Sequence, residues 1–132
     1  MSTIPIKFSF KKRKKEIIAK FQDEDILEIS LFSNFYGIAS KKFKQIRGNG
    51  VLILTKEKNF YGMFIPRKEI HINLSSIIEV NSPKWFLGKT RFRPLLRIDF
   101  INEEGKTDSA GWEVRNLDRW VSKIKQTFSF QK

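Results

Sequence analysis

The side chains able to do chemistry are few. His71 is the single histidine, and the chain has no cysteine. A zinc site draws most of its three or four ligands from those two residue types. Without cysteine there is no thiol nucleophile and no disulfide framework. A Ser-His-Asp relay would have to run through His71, yet no GxSxG elbow is present. Gly88-Lys89-Thr90 resembles the end of a phosphate-binding loop. The glycine required five residues before Gly88 is instead Pro83, so the cradle of backbone N–H groups is missing. Asp23-Glu24-Asp25 and Glu103-Glu104 read as solvated turns. This inventory points away from an enzyme, from any metal or cofactor and from a small-molecule substrate.

What the chain has in quantity is positive charge. Its 26 Lys and Arg outnumber 14 Asp and Glu, a net +12, which favours polyanionic partners. Half of the excess sits in residues 1–20, where seven cations face only Glu16. Lys11, Lys12, Arg13, Lys14 and Lys15 form an unbroken run. Phe10, Ile17, Ile18 and Phe21 fall at helical spacing around it, one apolar face of an α-helix. A basic helix with such a stripe can lie in a membrane interface, the four apolar residues serving as a shallow foothold. The same stripe can equally pack on a folded domain and leave the lysines solvated. A second mixture spans residues 84–97, where Trp85, Phe86 and Leu87 precede Lys89, Arg91 and Arg93. Cations beside aromatics suit an anionic membrane or single-stranded nucleic acid. The competing expectation is that the aromatics cover a core.

The elements that must position these groups are mostly strands. Ile26 to Leu31 begins the first. Residues 34–44 read as a hairpin or an irregular second strand bent at Gly37, and Arg47-Gly48-Asn49-Gly50 as a tight turn. Val51–Thr55, Phe60–Ile65, Glu69–Leu74, Ile77–Val80, Leu95–Ile101 and Asp108–Val114 follow as strands. The period then changes. Leu117, Trp120, Val121, Ile124 and Phe128 lie on one face of a helix, with Asn116 as its N-cap and Asp118 in its first turn. The expected fold is mainly β (α+β), an open barrel of about seven antiparallel strands plugged by one C-terminal amphipathic helix. Residues 1–22 would be a basic arm and residues 23–130 the domain.

Gly50, Leu52, Leu54, Thr55, Phe60, Ile72, Leu74, Ile77 and Val80 match the core pattern of GRAM domains. Trp120 stands where pleckstrin-homology (PH) domains commonly carry a tryptophan. The segments RGNGVL, FLGKT, RPLL and DSAGW also resemble a prokaryotic PH-like group. Together they cover about residues 25–128. The resemblance implies a PH-like barrel acting as a binding module rather than an enzyme. It departs from that group in having no spanning stretch ahead of the basic run. No run reaches the ~18 apolar residues of a membrane span. Ile4, Ile6, Phe8 and Phe10 are interrupted by Pro5, Lys7 and Ser9 and do not form a secretory signal. The expectation is a cytoplasmic protein associating peripherally with an anionic membrane surface. The basic run would attract it, and Lys89, Arg91 and Arg93 would make a second contact. The alternative is an adaptor for an acidic protein partner. Nucleic acid is possible on charge but unfavoured, because no RNA- or DNA-reading motif is present.

Overall fold

Val51-Leu52-Ile53-Leu54 leaves no polar position along the strand. A strand apolar on both faces must be covered on both. The computed structural model describes residues 6–21, 26–44, 48–84, 86 and 93–130, and in it this strand, β2 (Gly48–Thr55), has a cover on each side. Leu52 and Leu54 point into the main core, whereas Val51 and Ile53 point the other way, beneath an N-terminal helix.

Six further strands complete the sheet: β1 (Ile26–Ile38), β3 (Lys58–Met63), β4 (Glu69–Asn73), β5 (Ile77–Asn81), β6 (Leu96–Ile101) and β7 (Thr107–Glu113). Their order is β4-β3-β2-β1-β7-β6-β5 and all pairings are antiparallel. The sheet does not close, so β4 and β5 are its edges. The first helix is α1 (Ile6–Ala19) and the second is α2 (Leu117–Phe130). The architecture is the expected seven-stranded open barrel with a C-terminal plug, to which the docked α1 adds an outer layer.

β1 is the strand shared by both halves. Ile26 to Phe35 pairs with β2, and Asn34 to Ile38 pairs with β7. This replaces the separate hairpin or irregular second strand expected over residues 34–44. The chain bends at Gly37, whose φ of 121° favours glycine, but continues as β1. A short 3-10 turn over Ala39–Lys44 then leads towards β2. Gly48, Asn49 and Gly50 belong to β2 instead of a turn. Gly50 marks a close backbone approach, since a Cβ there would lie 2.3 Å from the Gly62 carbonyl oxygen.

α2 seals the concave side. Trp120 and Ile124 are buried beside Trp112, Tyr61 and Phe35, with Leu117 and Val121 half-buried. The carbonyl of Asn116 accepts the Trp120 N–H at 3.2 Å and begins the helix. Buried Glu28 of β1 receives Arg119 at 2.8 Å and Lys123 at 3.1 Å from α2. Tyr61 pins the middle of the sheet, its hydroxyl lying 2.9 Å from the carbonyls of both Ser33 and Gly48.

Candidate functional site

α1 carries the basic run, and its placement decides what that run can do. Ile17 and Phe21 are buried with Val51, Ile53, Phe60 and Phe64 on the outer face of β2 and β3, and Phe10 packs against the same cluster. Phe10 stacks on Phe64 at 4.9 Å and Phe21 meets Phe60 at 4.9 Å. Full burial of an Ile or Phe side chain is worth about 1.5–3 kcal/mol. The helix is therefore held by the residues that were candidates for a foothold. Ile17 and Phe21 are not available to a membrane in this packing, whereas Phe10 and Ile18 are half-buried. Two ionic contacts tie the helix down at its edge. Arg67 binds Glu16 at 3.2 Å, and the Lys20 ammonium bonds to Glu69. The second contact, foremost among its causes, holds the Glu69 carboxyl below its ordinary value.

The five cations of the run divide accordingly. Arg13 is buried, lying 3.9 Å from Glu16, and does not face solvent. Lys14 is half-buried, with its ammonium 4.5 Å over the Phe32 ring. Lys11, Lys12 and Lys15 are exposed and make no ion pair with a described residue. Of the second basic group, Arg93 is exposed, while Lys89 and Arg91 lie outside the described residues, as do Trp85 and Leu87. Phe86 is buried with Tyr36 and Leu95 and so follows the core reading. The Arg97 guanidinium sits 5.8 Å over its ring and binds Asp99 at 2.9 Å.

A cleft of about 630 Å³ opens between β4, the β6–β7 turn and the end of β1. Phe35, Met63, Ile72 and Phe100 floor it. Its rim mixes Lys41, Lys68 and His71 with Glu69, Glu103, Glu104 and Asp108. A perturbed carboxylate in a cleft is a candidate for chemistry, and Asp108 is one. Burial pushes its pKa up, but hydrogen bonds from Ser40, Ser109 and Asn102 outweigh that and hold it below the ordinary value. Those bonds have a structural task. Ser40 donates through its N–H at 2.9 Å and its hydroxyl at 2.6 Å, so Asp108 clamps the 3-10 turn after β1 to β7. The other cleft hydroxyl, Ser76, is bonded to the Asn73 carbonyl at 2.7 Å. His71 lies on exposed β4, 3.3 Å from Glu69 and edge-on to the Phe60 ring, as expected of a polar strand residue. No group of three or more His, Asp or Glu that could hold a metal occurs among the described residues.

The cleft borders an open sheet edge. Met63 donates to the Lys68 carbonyl at 2.8 Å, and Leu74 to that of Glu57 at 2.9 Å. In the β3–β4 register, alternation then makes Ile70 and Ile72 the hydrogen-bonded partners of β3. The N–H and C=O of Glu69 and His71 turn to the free side of β4.

The sequence reading missed one apolar group, Ile29, Leu31 and Phe32 on β1, which are 38%, 43% and 56% exposed. The signal was local. Leu31-Phe32 is an apolar doublet between Ser30 and Ser33, and the extra residue there is a β-bulge opposite Val51.

No protein-family description matches this chain, and no curated protein matches it either. Solved structures do. A chain of the 8S snRNP assembly intermediate superposes with a TM-score of 0.61 at 8% identity, over 79% of this chain and 82% of that one. The C-terminal domain of an unknown protein from Leishmania infantum superposes with a TM-score of 0.57 at 12% identity, over 94% and 98%. At such identities the likeness is one of fold. Among the described residues, no helix is long and apolar enough to cross a membrane.

Proposed function

We propose that this protein is a non-enzymatic, PH/GRAM-like binding module that associates peripherally with anionic membrane surfaces on the cytoplasmic side. The observation that carries the reading is the posture of α1. Its apolar stripe is spent on the sheet, while Lys11, Lys12 and Lys15 are turned to solvent with no acidic partner among the described residues. Arg119 and Lys123 are matched within the fold, whereas a cluster of unmatched cations attracts polyanions. Each cation close to an anionic leaflet contributes about 1 kcal/mol. Arg93, with Lys89 and Arg91 from outside the described residues, is the proposed second contact.

The test is sedimentation of the full chain with phosphatidylcholine vesicles, with and without phosphatidylserine. Deleting the arm would bare Val51, Ile53, Phe60 and Phe64, so substitution is the cleaner tool. Lys11→Gln, Lys12→Gln and Lys15→Gln together should weaken binding to the acidic vesicles roughly a hundredfold. Equal binding by this variant and the parent would refute the role of the arm.

A second reading is favoured by the free edge of β4 beside the cleft. A partner segment in extended conformation would add to the N–H and C=O of Glu69 and His71 as a further strand. His71→Pro would remove one of those donors without touching the bonds to β3. Capture of an extended peptide that survives this change would count against the edge.

A further inference from the structure

α1 covers the outer face of β2 and β3 and leaves that of β1 largely open, with Phe32 edge-on to Phe64 at 5.7 Å. Ser30 pairs with Leu52 and Ser33 with Gly50, so Leu31 and Phe32 both stand opposite Val51. Ser30 and Ser33 are buried, and Leu31 and Phe32 are both exposed. Ile29 pairs with Ile53, whose side chain belongs to the outer cluster, and continues the same row. Single exposed apolar residues are ordinary on a protein surface, but a contiguous row rimmed by one sign of charge marks an interaction surface.

The helix supplies that rim. Lys14 lays its ammonium 4.5 Å over the Phe32 ring. Lys11 lies three residues before it and Ile18 four after it, both on the same side of α1. Lysines can bury their stems along apolar surface and keep the ammonium at the polar boundary. On the opposite side of α1, towards β4, Glu16 is engaged by Arg67 and Glu69 by Lys20.

We infer that Ile29, Leu31 and Phe32, rimmed by Lys11 and Lys14, are the part of the protein that enters an anionic bilayer, an inference that rests on the membrane reading above. Phe32 and Leu31 occupy the boundary between headgroups and acyl chains, and the two ammonium groups lie at the level of the lipid phosphates. The apolar foothold is thus on β1, and Phe10 of the helical stripe reaches it through Phe64, which stacks on Phe10 at 4.9 Å and meets Phe32 at 5.7 Å. Binding has two components. Salt screens the lysine attraction, while burial of the β1 row persists.

The chain has no cysteine, so a single introduced thiol can carry an environment-sensitive fluorophore. Phe32→Cys reports on the row and Lys106→Cys, on the β6–β7 turn, is the control. On vesicles containing phosphatidylserine, the label at 32 should shift to the blue and be quenched by nitroxide-bearing lipid, with neither change at 106. In unlabelled protein, Leu31→Ser with Phe32→Ser should weaken vesicle binding about tenfold and remove the salt-resistant part. Sedimentation with vesicles but no response at 32 overturns the inference and leaves the membrane reading standing. Failure to sediment at all overturns both. A response at 32 on raising protein concentration without lipid makes the row a self-association surface and also overturns it.

Discussion

The two helices solve opposite problems on the two faces of one sheet. α2 lies on the concave face, inserts Trp120 and Ile124 into the main core, and delivers Arg119 and Lys123 to a buried carboxylate, Glu28. α1 lies on the convex face, buries Ile17 and Phe21 over a smaller cluster, and leaves Lys11, Lys12 and Lys15 unmatched. Both helices are cationic and amphipathic. What separates them is whether the cations have partners within the fold and whether the helix covers all the apolar surface beneath it. In α2, Arg119 and Lys123 meet on Glu28, whereas in α1 Lys11, Lys12 and Lys15 have no acidic partner among the described residues and the row on β1 remains open.

That contrast can be broken most forcefully at the plug. Trp120→Ala should cost about 3–5 kcal/mol and lower the denaturant midpoint of the whole protein. If the midpoint hardly moves, α2 is not the seal of the core. Ile17→Ala should cost about 2–5 kcal/mol, spent in releasing α1 rather than in melting the barrel. Hydrogen exchange should then accelerate over residues 6–19 and stay slow in β2 and β7. Uniform acceleration would mean that the outer layer and the barrel are one cooperative unit.

Glu28→Gln should cost roughly 1–2 kcal/mol, the lower end for charged hydrogen bonds because Arg119 is largely exposed. Thermal unfolding at neutral pH reads this. Asp108→Asn probes the acid limb. A carboxyl held below its ordinary value in the folded state adds stability that is fully present above the usual carboxylate range, about pH 4. That stability is lost as pH falls through the lower folded value. The parent should therefore lose stability below about pH 4, and the variant should lose less over that interval, having started lower. A parallel acid limb in the two proteins would remove Asp108 from the account. The smallest effect should come from Lys11→Gln, Lys12→Gln and Lys15→Gln. Surface changes away from packing usually stay within about 0.5 kcal/mol, so calorimetry should find the fold unmoved while acidic-vesicle binding drops.

Much of this architecture was legible because each late element has one period. Glu69–Asn73 alternates cleanly, and Leu117, Trp120, Val121 and Ile124 mark a single helical face. β1 was harder. Residues 34–44 read as a hairpin or an irregular second strand bent at Gly37, when that bend lies inside one long strand, and the doublets Ile26-Leu27, Leu31-Phe32 and Phe35-Tyr36 broke the alternation that would have shown its length. The candidate site was half legible. The cations of α1 were visible as a run, but no local pattern says whether Phe10, Ile17, Ile18 and Phe21 meet lipid or protein. The answer lay elsewhere in the chain, in Val51-Leu52-Ile53-Leu54, whose lack of a polar face calls for a second cover. The long link holding Lys89 and Arg91 had no periodic pattern to place it.

The sharing of β1 between both halves of the sheet has a consequence for how the protein is made. Asn34 to Ile38 finds its β7 partner only after residues 110–113 exist. During synthesis, at roughly 5–20 residues per second, the ribosome must deliver most of the chain while that half of β1 waits as an unpaired edge carrying Phe35 and Tyr36. Contacts so distant in sequence also slow folding in the released chain. A nascent chain stalled before β7 should hence be the most aggregation-prone form of this protein.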